Sequence, residues 1–217
     1  MFTHVIFDLD GTLLDTLEDL ADAGNWVCAQ HGWPGHPVEA YKRFVGNGAP
    51  KLLERVAPPG TEQTDELRRQ TLEEFTTYYT AHKSDKTTVY PGMNEAVERL
   101  KEAGLTLAVL TNKPDAAAGP VVERYYPGVF DVVQGALPDM PTKPDPTLLL
   151  RLMERIGAKP ESTLFVGDSD VDIRTAKNGN LHSCGVLWGF RTREELLAEG
   201  AEHLAQTAEE LTNYILK

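Results

Sequence analysis

The chain opens with a strand that has no neighbour to pair with for many residues. His4-Val5-Ile6-Phe7 is a short β-branched and aromatic run that stops abruptly in Asp8-Leu9-Asp10-Gly11-Thr12, the pattern of a buried strand ending in a loop. Between residues 16 and 82 no second buried strand follows. Leu17, Leu20, Ala21, Gly24, Val27 and Cys28 recur at helical spacing, and Thr16-Leu17-Glu18-Asp19 has the form of a capping box ahead of them. Residues 41–45, 50–56 and 65–82 read as further helices, broken by Gly46-Asn47-Gly48 and Pro58-Pro59-Gly60. A buried strand needs partners, so those of the first strand must lie beyond this helical stretch.

After the polar segment His82-Lys83-Ser84-Asp85-Lys86 the texture changes. Strand signals at 105–110, 130–135, 163–166 and 185–188 alternate with helix signals after Pro91-Gly92, at 146–156 and from Ile173, and Thr192-Arg193-Glu194-Glu195 and Thr207-Ala208-Glu209-Glu210 form two more capping-box patterns. Such alternation predicts an α/β fold with a mostly parallel, Rossmann-like sheet. The first strand belongs to it. The expected division is a discontinuous core, 1–15 with 83–217, interrupted by a small helical cap, 16–82. An insertion just beyond a strand's C-terminal end sits over the edge where such sheets bind ligands, which makes it a candidate lid.

Composition narrows the function classes. With 41% hydrophobic and 25% charged residues in 217, there is material for a true core, and intrinsic disorder is disfavoured. No apolar run approaches the roughly 18–20 residues needed to cross a bilayer, and the first apolar run is cut at Asp8, unlike a signal peptide. Cys28 and Cys184 are too isolated for a disulfide scaffold, which fits a reducing, cytoplasmic setting. A formal net charge of −12 argues against a nucleic-acid partner. It also sets the field of the whole molecule against an anionic substrate.

Four strand ends carry polar groups: Asp8 and Asp10; Thr111 and Asn112; Lys143, in the loop after Gly135; and Asp168, with Asp172 close behind. In a parallel sheet these ends fall on one edge, so groups remote in sequence converge. Singly, each has an ordinary reading as a turn former, a helix cap or a solvated charge. Together, Asp8-Leu9-Asp10-Gly11-Thr12, Thr111-Asn112, Lys143-Pro144-Asp145-Pro146 and Gly167-Asp168-Ser169-Asp170-Val171-Asp172 resemble the four motifs of the haloacid dehalogenase superfamily of aspartyl-phosphate phosphohydrolases, in order and across essentially the whole chain. The helical insertion resembles that superfamily's small cap.

The resemblance implies a Mg²⁺-dependent phosphatase of small phosphorylated metabolites, acting as a monomer or homodimer. Asp8 would be the nucleophile and Asp10 the general acid and base. Asp8, Asp10 (through its carbonyl) and Asp168 would hold Mg²⁺, with Asp172 orienting a metal-bound water or acting as a weak ligand. Gly11, Thr111, Asn112 and Lys143 would cradle the phosphate, and Asp170 would be a solvated neighbour. The dehalogenase branch lacks the second acidic residue, so Asp10 favours phosphoryl transfer. The family's phosphonate hydrolases use a cap lysine, and neither Lys42 nor Lys51 stands in a matching context.

The segment from Arg43 through Gly46-Asn47-Gly48 to Arg55, and the tail Gly185 to Phe190, resemble the phosphoglycolate phosphatase subgroup. Gly46, Asn47, Gly48 and Arg43 are therefore the candidate specificity residues. Arg191, and Gln134-Gly135-Ala136-Leu137, depart from the subgroup's pattern. Alternatives on the same machinery are a pyrophosphatase, a nucleotidase or a sugar phosphatase. Outside enzymes, the alternative is a phosphate-binding or phospho-acceptor module. His31 and His36 do not share a helix face, which disfavours zinc, and Trp26, Trp33, Tyr78 and Tyr79 read as packing within the cap.

Overall fold

The computed structural model describes residues 1–217. Its strands are β1 (His4–Phe7), β2 (Leu14–Asp15), β3 (Thr88–Val89), β4 (Thr106–Pro114), β5 (Val132–Ala136), β6 (Thr163–Gly167), β7 (His182–Val186) and β8 (His203–Ala205). Its helices are α1 (Leu17–Gln30), α2 (Val38–Phe44), α3 (Ala49–Val56), α4 (Asp65–His82), α5 (Met93–Glu102), α6 (Asp115–Tyr125), α7 (Thr147–Ile156), α8 (Asp170–Asn178), α9 (Arg193–Ala198) and α10 (Ala208–Ile215). The chain divides into two compact units, Met1–Asp15 with Val89–Lys217, and Thr16–Thr88.

The first unit is built on a six-stranded sheet of order β5-β4-β1-β6-β7-β8, every pairing parallel. Because successive side chains alternate across a strand, Val5 and Phe7 join Leu107, Val109, Leu164 and Val166 in one layer, against α5, α6 and α10. Ile6 joins Ala108, Leu110 and Phe165 in the other, against α7 and α8. Covering both faces is why these strands read as unbroken apolar runs. No helix is long and apolar enough to cross a membrane.

Several boundaries differ from those the pattern suggests. β4 continues through Thr111-Asn112 to Pro114, α8 starts at Asp170 rather than Ile173, and the strand expected at 185–188 is β7, ending at Val186. The sequence gives little sign of α6, whose buried face is only Ala118, Val121 and Val122 and which contains Pro120. The three-residue β8 is equally faint.

In the second unit, α1 and α4 pack together, with Trp26 stacked on Tyr78 at 5.3 Å and His31 Nε2 2.8 Å from Glu74 Oε2. The expected capping box at Thr16 does not form: its side chain makes no cap bond and its hydroxyl is buried without a partner. Asp19 is engaged elsewhere. Its buried carboxylate accepts from Lys86 N at 3.0 Å and from Thr87 N and Oγ1 at 2.9 and 2.6 Å. Those bonds hold residues 86–87 within this unit, so the division falls after Thr88, beyond the polar segment where composition alone puts the linker.

Gly24 on α1 faces the fully buried Tyr41, and a Cβ there would lie 2.5 Å from the Tyr41 hydroxyl oxygen. That hydroxyl donates to Asn25 Oδ1 at 3.1 Å, which fixes the end of the ring that lies against Gly24. Gly24→Ala gains about 1 kcal/mol of helix propensity but incurs about 1–3 kcal/mol of overpacking. The expected result is a lower denaturant midpoint than wild type. A midpoint above wild type would show that Tyr41 gives way.

Candidate active site

β1 lies between β4 and β6, where the order of the strands reverses direction, so the C-terminal ends of all three meet at the crevice that such sheets offer to ligands. Asp8 is still in the sheet, its N–H donating to Val166 O at 2.9 Å. The chain then folds back. The N–H groups of Leu13 and Leu14 donate to Leu9 O at 3.0 Å each, and Gly11 N–H donates to Leu14 O at 2.9 Å. Gly11 has φ +88°, and a Cβ there would stand 2.4 Å from Asp168 Oδ2. Gly189 is as close on another side, where a Cβ would lie 2.2 Å from Asp168 Cβ. Asp168, 1% exposed, is thus enclosed by backbone, and it accepts from Thr12 Oγ1 at 3.1 Å and from Phe190 N at 2.8 Å.

Lys143 ties three elements together. Its ammonium nitrogen is 2.9 Å from Asp8 Oδ1 and 2.7 Å from Asp172 Oδ1, and it stands over the Phe165 ring. The backbone carrying it is fixed by Asn112, whose Oδ1 accepts from Lys143 N at 2.9 Å and whose Nδ2 donates to Lys143 O at 3.1 Å. Asn112, expected to contribute a backbone N–H to a phosphate cradle, here uses its side chain to position Lys143. Asp172 is fully buried. Its second oxygen accepts from Ser169 N at 3.0 Å and Ser169 Oγ at 2.6 Å, closing a capping box at the start of α8. Asp170 is not simply solvated: it pairs with Arg174, and Arg191 Nε lies 3.3 Å from its Oδ1. Arg191, a departure from the subgroup pattern, therefore has an acidic partner.

Sequence reasoning passed over one buried cation. Lys113 Nζ is 2.8 and 2.9 Å from the two oxygens of Asp10, and its side chain is 2% exposed. Five residues of β4, from Leu110 to Pro114, span only three of β5, from Gln134 to Ala136, so β4 bulges here. The bulge leaves Thr111, Asn112 and Lys113 all buried, where strict alternation would turn one of them away from its neighbours. Thr111 Oγ1 accepts from Lys113 N at 3.2 Å, so its own O–H remains a donor. The signal was available as Lys113 directly after a strand-end Thr-Asn, but such a lysine usually reads as solvated.

The electrostatics call for a cation. Asp8, Asp168 and Asp172 each present an oxygen within a 4.8 Å cluster, and with Asp10 they make four carboxylates facing the two ammonium groups of Lys143 and Lys113. Burial and the neighbouring Asp172 push Asp8 up to about 7 despite Lys143, and burial with Asp172 and Asp8 raises Asp168 well above the usual carboxylate range. Lys143, which burial alone would lower, is held above its ordinary value by Asp172 and Asp8. Asp8 Oδ1 is buried without a hydrogen-bond partner, Lys143 being near enough for charge attraction but not aligned to donate. An unpartnered carboxylate oxygen amid two excess negative charges fits a divalent metal ion with hard oxygen ligands.

The remaining predicted residues lie in the other unit. Gly46-Asn47-Gly48 forms the turn between α2 and α3, with φ of +107° and +81° at its glycines, and Arg43 is an exposed residue near the end of α2. The turn is braced by Arg55, which donates to Asn47 Oδ1 and to Phe44 O, both at 2.8 Å.

The haloacid dehalogenase-like hydrolase family model matches residues 5–186. The chain is 36% identical over 221 residues to a phosphoglycolate phosphatase of Vibrio vulnificus, covering 98% of this chain and 95% of that protein. It is 36% identical over 201 residues to one of Pseudomonas putida, covering 90% and 73%. It is also similar to a crystal structure from Lactobacillus delbrueckii subsp. bulgaricus, with a TM-score of 0.90, 33% identity and coverage of 99% and 98% of the two chains. With the four motifs gathered at one sheet edge and this extent of similarity, the chain belongs to the haloacid dehalogenase-like hydrolase family.

Proposed function

We propose that this protein is a Mg²⁺-dependent phosphatase of small phosphate monoesters that works through an aspartyl-phosphate, with phosphoglycolate as its substrate. The observation that carries the reading is the buried cluster at the end of β1: a nucleophile-bearing strand end, an excess of carboxylates, and a lysine held against both. The relatives named phosphoglycolate phosphatase support the substrate.

The chain's own residues account for the steps. Asp8 attacks phosphorus, the bond from phosphorus to the ester oxygen breaks, and the departing alkoxide takes a proton from Asp10. Water then attacks the phosphorus of the aspartyl-phosphate, giving its proton to Asp10 and releasing Asp8 and inorganic phosphate. Lys143 keeps Asp8 in place and offers positive charge to the phosphoryl oxygens, while the hydroxyl of Thr111 and backbone N–H groups around Gly11 and Asn112 cradle them. Asp8, Asp168 and the Asp10 carbonyl would hold the metal, which when bound supplies Lewis-acid stabilisation of the phosphoryl charge. Asp172 acts mainly through Lys143 and Ser169, because both its oxygens are engaged by them. In the helical unit, Gly46, Asn47, Gly48 and Arg43 set substrate choice, with Arg55 keeping Asn47 in its orientation.

Phosphate release from a panel containing phosphoglycolate, pyrophosphate, a nucleoside monophosphate and a sugar phosphate tests the reading. Activity should disappear with a chelator and return with Mg²⁺, and Asp8→Asn should lower kcat by on the order of 10⁴-fold or more. Turnover that ignores the chelator, or an Asp8→Asn protein of wild-type rate, would rule the mechanism out. A preference for another ester would move the substrate but leave the chemistry.

Asn112→Ala should lower kcat about 10–100-fold, as expected when a group orienting a site lysine is lost, without changing the ranking of esters. Asn47→Ala should do the opposite, altering relative kcat/KM across the panel while leaving the Mg²⁺ requirement in place. An unchanged ranking in Asn47→Ala would make the turn structural.

A further inference from the structure

The pairing of Lys113 with Asp10 is not explained by phosphate binding. Lys143 already serves Asp8, and Lys113 stands on the other acidic residue, the one assigned to the leaving group. Its side chain is 2% exposed, so water screens the ammonium little and an anion beside it is held more strongly than at a surface lysine. Asp10 is the more open member of the pair, with its side chain 18% exposed. An incoming molecule therefore meets the pair from the Asp10 side.

Distances say what chemistry fits there. A general acid must approach the leaving oxygen to about 2.6–3.2 Å. Lys113 Nζ lies 2.8 and 2.9 Å from the Asp10 oxygens. The ammonium is therefore no more than about 6 Å from the ester oxygen of a bound substrate. In an ester whose adjacent carbon bears a carboxylate, the carboxylate oxygens stand about 3 Å from the ester oxygen by ordinary bond lengths. An ammonium–carboxylate contact adds about 2.8 Å. The two spans agree, so one molecule can place its ester oxygen on Asp10 and its carboxylate on Lys113.

We propose that Lys113 is a further specificity-determining residue, in addition to those of the helical unit, reading a carboxylate on the carbon next to the phosphate ester. The inference rests on the phosphatase reading above and names a core residue that favours phosphoglycolate. The carboxylate completes a compact arrangement in which one buried ammonium serves both Asp10 and the substrate. Discrimination follows because only an ester that carries the second anion gains an ion pair with that ammonium.

The experiment compares phosphoglycolate with ethyl phosphate, which has the same two-carbon chain and no carboxylate, in wild type, Lys113→Met and Lys113→Arg. The expected result is that Lys113→Met lowers kcat/KM for phosphoglycolate about 100-fold, mostly through KM, and for ethyl phosphate less than about tenfold, with Lys113→Arg between wild type and Lys113→Met on phosphoglycolate. Equal losses on the two esters would show that Lys113 acts only through Asp10, overturning this inference while the phosphatase reading stands. A wild type that turns over both esters equally would instead overturn phosphoglycolate as the substrate, and this inference with it. A measurement on the wild type alone guards against a variant that fails to fold. 3-Phosphonopropionate should inhibit at least ten times more strongly than propylphosphonate, and equal inhibition would overturn the carboxylate subsite.

Discussion

The site depends on one ammonium group. Lys143 stands between Asp8 at the end of β1 and Asp172 in the first turn of α8, with its backbone held by Asn112 from β4. Three elements far apart in sequence are thus joined at a single charge. A buried lysine between two buried carboxylates tolerates no loss of a partner, since the charge left behind would be dehydrated and unpaired. The surrounding groups show how completely this is managed. Asp172 is capped by Ser169, and Asp168 is fixed by Thr12 and Phe190. What stays unsatisfied is Asp8 Oδ1, on the side chain proposed as the nucleophile.

The same arrangement explains why the helical insertion comes where it does. The chain leaves the sheet unit after Asp15 and returns at Val89, so the excursion begins only a few residues beyond Asp10. The excursion is internally secured by Asp19, which takes the backbone N–H groups of Lys86 and Thr87 at its far end. Its own core, with Tyr41 set against Gly24 and Trp26 on Tyr78, lets it fold as a body rather than as a long loop. A body with its own core can vary its turns without disturbing the chemistry of the sheet unit, which is how one fold serves many substrates.

Much of this was legible because strand ends in a parallel sheet are punctuated by residues with a strong chemical signature. Asp8, Asp168 and Lys143 follow apolar runs or lie in the loops after them, and the topology alone brings such positions to one edge. Lys113 was not legible, because the β4 bulge that buries it cannot be read from alternation. The side-chain role of Asn112 was hidden for a related reason: its partner, Lys143, lies 31 positions away in a loop. The capping boxes show the limit of local patterns. Thr192 and Glu195 form one as written. At Thr207 only half forms, since Glu210 reaches the N–H of Gln206 instead. At Thr16 none forms, since Asp19 is captured by residues from the other end of the insertion. Local grammar holds where no distant group competes for the same atoms.

Net charge offered a misleading guide, and the structure shows why. A formal charge of −12 opposes an anionic substrate at long range, but salt screens that field within about a Debye length of roughly 8–10 Å. Inside the crevice the relevant charges are those within a few ångströms, where screening is weak. There, four carboxylates meet two buried lysines, and the excess of two negative charges is the amount one divalent ion cancels. On the proposed reading, with that charge neutralised, an incoming phosphate would face Lys143 and a second anion on the substrate would face Lys113. On that reading, the acidity that repels anions from the molecule at large is, at this edge, what would recruit the positive charge to bind them.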